Sequence, residues 1–429
     1  MFTICQPNSL RLTQGECDTM IGAGVPFSKK HRMMQELLFS LWLYSVLVLW
    51  HGCLVAQSMA KGETEEIKSE SEEAKSVEVG DATFGMQTQE TKVDPAKSKG
   101  MEIPVPYDDK TLPELLKAQG FKPPEGFMAL VCEVAPPERG TKTIPKKRYA
   151  FVRRCFGYGN PFDHKDWWPA STVKIYAAVA ALETLKKMGF SPKAKLTYED
   201  KEKSVSRKVS DLVRLAITPS DNTAFDQLVE IVGFDPINEW LRQIGTGYSV
   251  LMRGYSARVI DPEHKVGTLR HSRRITVSEK NRTEVIPERW GKGSYDCPMH
   301  GNCTSLWDLA DVMRRVMLWE YLGDEERFDL TEEQVELLRS ALKAPKPRGM
   351  NVVEGIKRAF APYKRAVRCF HKPGFALNWF SDNVFVFCPD CKTAPKRWLL
   401  VMAGRGGRSV LDEASFLVAR LVATGTLFK

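Results

Sequence analysis

Ser171 and Lys174 stand three residues apart at the head of a helical pattern over 171–188. Positions i and i+3 share a helix face, so the amine can reach the hydroxyl. A serine hydroxyl is a poor nucleophile until a base takes its proton, and a lysine is such a base only when neutral. Burial lowers a lysine's pKa, and so does a neighbouring cation. The head of a helix adds positive potential and turns free N–H groups toward an anion. These residue types at this spacing point to covalent chemistry at Ser171. Two more polar groups come later in the chain: Ser220-Asp221-Asn222 at a turn between helices, and Lys372-Pro373-Gly374 at the end of a strand. The first of these also reads as a helix N-cap, a role that Asp and Asn favour and that does not exclude catalysis.

Apolar periodicity and turn residues give the elements that must hold these groups. A helix is expected over 112–118, then strands over 127–134 and 148–155. Helices are expected next over 171–188, 211–217, 223–232, 236–244, 306–319 and 331–342, with 246–303 irregular and rich in charge and glycine. Strands over 366–371, 379–387 and 397–403 and a closing helix over 410–423 complete the body. Strands at both ends with helices between make the fold class α+β: one antiparallel sheet built from both ends of the body, flanked by helices, with an all-helical lobe between.

Each tripeptide alone is weak. Ser58-Met59-Ala60-Lys61, Ser381-Asp382-Asn383 and Lys265-Val266-Gly267 repeat the three patterns elsewhere in the chain. Order and setting carry the information. The ordered set is Pro169-Ala170-Ser171-Thr172-Val173-Lys174, then Leu215-Ala216-Ile217-Thr218-Pro219-Ser220-Asp221-Asn222-Thr223-Ala224, then His371-Lys372-Pro373-Gly374. With the terminal strand before a last helix, the body over about 125–429 resembles the penicillin-recognising serine hydrolases, class A β-lactamases above all. The stretch 246–303 stands outside that resemblance.

The resemblance implies an acyl-enzyme at Ser171, with Lys174 as base and Lys372 as the second cation. The N–H groups of Ser171 and of Phe375, after Gly374, would form the oxyanion hole. Ser220 would pass a proton to the leaving nitrogen, and Asn222 would hold Lys174 and the substrate's amide carbonyl, while Asp221 braces the turn. The implied partner is a small molecule, a β-lactam, or else a cell-wall peptide ending in D-alanyl-D-alanine, with no cofactor and a monomeric enzyme. A third reading keeps the fold as a slow or inactive wall- or ligand-binding module.

Two departures bear on turnover. Class A enzymes carry a deacylating glutamate in an E-x-x-L-N loop. Here the chain reads Met252-Arg253-Gly254-Tyr255-Ser256-Ala257 near the expected distance. Glu263, Glu284 and Glu288 could replace it only through a longer, rerouted loop. Glu288, flanked by Pro287 and Trp290, is the one favoured among them, against a competing reading as an idle surface residue. The hydroxyl residue usual between Lys and Gly is Pro373, which removes a donor for a substrate carboxylate.

The first 60 residues read as an export leader, with a basic flank at Lys29, Lys30, His31 and Arg32 and an uncharged stretch over 37–50. That stretch is shorter than the roughly 20 residues of a spanning helix. Ser58-Met59-Ala60 allows cleavage after Ala60, Gly52-Cys53 raises lipidation, and Met20, Met33 and Met34 are alternative starts. A retained leader would attach the body to a membrane, and either way the body is exported, to the periplasm or beyond. Residues 61–100 carry six Lys against ten Asp or Glu with Phe84 the one aromatic. Such a segment buries too little apolar surface to fold, so 61–111 reads as an acidic linker before a catalytic domain over 112–429. The whole chain carries a formal charge of +9, concentrated in the body. The scattered basic residues and the lack of a nucleic-acid motif give a solvated surface and no nucleic-acid partner. Seven cysteines lie beyond residue 60: Cys132, Cys155, Cys297, Cys303, Cys369, Cys388 and Cys391. In an exported chain disulfides are the expected use, with zinc held by the 297/303 and 388/391 pairs as the alternative. Cys132 and Cys155 either pair or pack, and an odd count leaves at least one thiol.

Overall fold

Trp379–Phe387 (WFSDNVFVF) is buried along nearly its whole length, as a strand covered on both faces must be. The computed structural model describes residues 105–429 except 138–148, 164, 201–203, 248, 257–259, 262–265, 298–300, 344, 347–351 and 407–408. The expected leader and most of the expected linker lie outside the described residues, as do Lys61, Glu263 and Lys265.

Apart from two-residue bridges between 250 and 303, the strands are β1 (Tyr107–Asp108), β2 (Met128–Val134), β3 (Val152–Tyr158), β4 (Lys195–Tyr198), β5 (Val205–Lys208), β6 (Ile275–Glu279), β7 (Arg282–Ile286), β8 (Arg368–Ala376), β9 (Trp379–Phe387) and β10 (Arg397–Arg405). The helices are α1 (Thr111–Ala118), α2 (Lys174–Lys187), α3 (Val209–Ile217), α4 (Asn222–Val232), α5 (Phe234–Gln243), α6 (Leu306–Met317), α7 (Glu332–Lys343), α8 (Val352–Phe360) and α9 (Val410–Ala423). The main sheet has the order β1-β3-β2-β10-β9-β8, so strands from the two ends of the body meet at its centre. Its pairs are antiparallel except β1 with β3. This is the α+β sheet expected from the sequence. Side chains alternate between its faces. Leu130, Leu399 and Val401 join the core on the side of α2 and α6. Val131, Leu400 and Met402 join a second core under α8 and α9.

Three expectations are corrected. The strand expected over 148–155 begins at Val152, because Tyr149 and Phe151 take left-handed φ values of 61° and 68° and the N–H groups of Tyr149 and Ala150 donate to the Glu326 carboxylate. Segment 246–303 is not irregular throughout. Its β6–β7 hairpin pairs onto β4 in a four-stranded sheet of order β7-β6-β4-β5, with Ile275 and Val277 turned inward. Helix α8 was not expected. A mid-helix glycine weakens its propensity. Yet a Cβ on Gly355 would stand 2.0 Å from Ser415 Oγ, so the glycine is what lets α8 lie against α9.

Candidate active site

The chain reaches Ser171 through strain. Ala170–Val173 is a single 3-10 turn, and the α-helix expected from residue 171 starts at Lys174. Ala170 has a φ of 47°, a left-handed conformation that side chains disfavour and that gathers at functional sites. Thr172 Oγ1 and Ser381 Oγ donate to the Pro169 carbonyl at 2.5 and 3.1 Å, and Tyr255 Oη donates to the Ala170 carbonyl at 2.6 Å. Ser171 is half-buried, and its hydroxyl has no hydrogen-bond partner among the described residues.

Lys174 is fully buried on the first turn of α2. Its Nζ donates to the Ser220 carbonyl at 2.5 Å, to Asn222 Oδ1 at 2.7 Å and to the Asp221 carbonyl at 3.2 Å. Three acceptors match the three protons of an ammonium, and no hydrogen bond joins Nζ to Ser171 in this arrangement. Burial nevertheless pulls the pKa down to about 7, against the opposing pull of the Asp226 and Asp221 carboxylates. The amine is therefore within reach at neutral pH, and loss of one proton leaves a lone pair that can turn to Ser171. Ser220 holds φ 66°, again left-handed, and this turns its carbonyl to one lysine and its hydroxyl to the other. Asp221 caps α4, accepting from the Ala224 N–H at 2.7 Å.

Lys372 arrives from the sheet. Its buried Nζ donates to Ser220 Oγ at 2.7 Å and to the Pro373 carbonyl at 3.3 Å. Burial, and after it the charges of Lys174 and Lys346, hold it well below an ordinary lysine. Two strand residues on, Gly374 lies against the turn of Ser171. A Cβ there would stand 2.7 Å from the Pro169 carbonyl, 2.8 Å from the Ser171 nitrogen and 2.9 Å from that of Thr172. The backbone of β8 thus passes directly against the Ser171 nitrogen, and Phe375, 37% exposed, comes next. The repeated Ser381-Asp382-Asn383 is structural: all three are buried in β9, where Asp382 pairs with His371 Nδ1 at 2.9 Å and Asn383 Nδ2 donates to the Leu309 carbonyl at 2.7 Å.

The model of the β-lactamase enzyme family matches residues 163–394, more than half of the chain. The chain belongs to that family. No curated protein matches it. Similar solved structures include a representative of class A β-lactamase from Bacteroides cellulosilyticus, at 13% identity over 74% of this chain and 95% of that one, with a TM-score of 0.45. PBP-A has 16% identity over 73% and 97%, with a TM-score of 0.46. A β-lactamase from Sphaerobacter thermophilus has 18% identity over 73% and 95%, with a TM-score of 0.44.

Within this β-lactamase-family site, the flank away from Lys372 was missed from sequence. Asp226, one turn into α4, is buried, and burial pushes its carboxyl up. Its Oδ1 accepts the Tyr255 N–H at 2.9 Å, and its Oδ2 accepts the Ser256 N–H at 2.9 Å and the Ser256 hydroxyl. The Tyr255 ring stacks on Phe225 at 4.9 Å, and Lys174 Nζ stands 5.4 Å from the Tyr255 ring centre. The signal in sequence was the missing E-x-x-L-N motif over 252–257, with no residue there singled out. Of the proposed glutamates, Glu284 pairs with Arg282 on its own strand, and Glu288 is largely exposed and pairs with His271 at 2.8 Å. Neither contacts the residues around Ser171.

The cysteines form disulfides: Cys132–Cys155 across β2 and β3, Cys297–Cys303 in the insertion and Cys388–Cys391 between β9 and β10, with Cys369 free. The zinc alternative falls, since its four cysteines are used in pairs. The Cys297–Cys303 ring adjoins the site: Asn302 Oδ1 accepts the N–H groups of Met252 and Arg253 at 2.8 and 2.9 Å, just before Tyr255.

Proposed function

We propose that this protein is an exported serine hydrolase that β-lactams acylate at Ser171. One observation carries the reading: two buried lysines, one from α2 and one from β8, converge on Ser220 beside an unpartnered serine hydroxyl. In this scheme neutral Lys174 takes the Ser171 proton as Oγ bonds to the lactam carbonyl carbon. The oxyanion forms against the N–H groups of Ser171 and Phe375. As the C–N bond breaks, Ser220, hydrogen-bonded to Lys372, hands its proton to the nitrogen and is reprotonated from the lysine pair. Asn222 keeps Lys174 in place and has its amide N–H groups left for a substrate carbonyl. The three disulfides support an oxidising compartment.

A second reading, a peptidase or transpeptidase on D-alanyl-D-alanine ends, has one observation in its favour. The carboxylates that bear on Lys174 are those of Asp226 and Asp221, and both are committed to backbone N–H groups. Intact-mass analysis after benzylpenicillin tests both readings. The expected result is a gain of the whole drug mass in the wild type and none in Ser171→Ala, with the variant still folded. No adduct and no turnover in the wild type, or an undiminished adduct in the variant, overturns the proposal.

A further inference from the structure

The geometry points to Tyr255 as the positioning residue that sets the lifetime of the acyl-enzyme, by filling the place a hydrolytic water would need beside Lys174. This rests on the reading of Ser171 as nucleophile. For hydrolysis a water oxygen must bond to the ester carbon while a base takes its proton. The bond from that carbon to Ser171 Oγ then breaks, and Oγ regains a proton as the acid leaves. The water must therefore stand about 3 Å from the ester carbon and within hydrogen-bond reach of the base.

Tyr255 spans that region. Its hydroxyl ends on the Ala170 carbonyl, immediately before the nucleophile, and its ring passes 5.4 Å from Lys174 Nζ. Phe225 backs the ring at 4.9 Å, so it has no room to swing inward. Asp226 holds the backbone on both sides through the N–H groups of Tyr255 and Ser256. A Cβ on Gly254 would stand 3.2 Å from Asp226 Oδ2 and 3.3 Å from the Thr268 carbonyl, so the arm is seated closely here too. Burial keeps the side chain a neutral phenol, a donor to Ala170 and not a base. The same residue thus supports acylation, by fixing the strained peptide before Ser171, and obstructs hydrolysis of the ester.

The test separates the two steps in the full-length protein, with benzylpenicillin and mass spectrometry over time. Tyr255→Ala should release the acyl group about 10-fold faster or more, as expected when a water gains access to a base. Tyr255→Phe keeps the ring and loses one neutral hydrogen bond, so acylation should slow roughly 5-fold while the ester stays as long-lived as in the wild type. Should Tyr255→Ala not fold, Tyr255→Leu keeps the contact with Phe225, falls short of Ala170, and should also speed release. An ester equally long-lived in a folded Ala or Leu variant overturns the inference and leaves the nucleophile standing. Faster release in Tyr255→Phe as well would assign the effect to the hydroxyl and overturn it too. Absence of any adduct in the wild type sinks the reading of Ser171 instead.

Discussion

On one flank of Ser171 the sheet brings Gly374 against the turn and Lys372 to the Ser220 hydroxyl. On the other flank the insertion brings Tyr255, and the nearby Asp226 carboxylate is taken by the N–H groups of Tyr255 and Ser256 and the Ser256 hydroxyl. On the proposed reading the first flank makes the ester. On the second, among the described residues, both carboxylates that bear on Lys174 are taken by backbone N–H groups. On the proposed reading the sheet flank serves acylation alone, whereas Tyr255 bears on both steps.

The sheet flank is the easier to break. On the proposed reading Lys174→Ala removes the base and Lys372→Ala removes the amine that holds Ser220. Losses of this kind are each about 10²-fold or more in acylation rate, which stopped-flow with a chromogenic cephalosporin would measure. Wild-type rates in either variant would mean that its lysine is a packing residue. Next comes Gly374→Ala, whose new methyl meets three backbone atoms of the Ser171 turn. Overpacking costs about 1–3 kcal/mol, so a lower melting temperature and roughly 10-fold slower acylation should appear together. The smallest effect is on pH. On the proposed reading Lys174 acts as the neutral amine, and burial brings its pKa down to about 7, so acylation should rise with pH through that value and then level off. A rate that falls as pH rises through 7 would exclude the amine as base.

The parts read correctly from sequence are those where one pattern decides. The apolar run of β9 and the amphipathic α9 have the bounds expected, and motif order picked out Lys174 and Lys372, whose amines both hydrogen-bond to Ser220. Elsewhere tertiary contacts overrode local preference. The 3-10 turn at Ala170 depends on hydrogen bonds from Ser381 and Tyr255, distant in sequence. Gly355 argued against a helix until α9 was there to receive it. The β6–β7 hairpin alternates plainly, ITVSE against RTEVI, but is short and set among charges. Tyr255 was not singled out, because its place depends on hydrogen bonds to Ala170 and Asp226, distant in sequence.

The disulfides differ in what they enclose. Cys132–Cys155 closes a separation of 23 residues and on chain-entropy grounds stabilises by about 3 kcal/mol, whereas Cys388–Cys391 spans 3 and restrains little beyond its turn. Cys297–Cys303 spans 6 and lies next to the asparagine that holds the Tyr255 arm. A thiol titration therefore serves as an assay of assembly. A mature body should show one reactive sulfhydryl after denaturation, that of Cys369, and three would report one bridge left open. Protein made in a reducing cytosol can carry a correct sheet and an unfinished arm in the same molecule, so its sulfhydryl count should be known before any measured lifetime of the ester is interpreted.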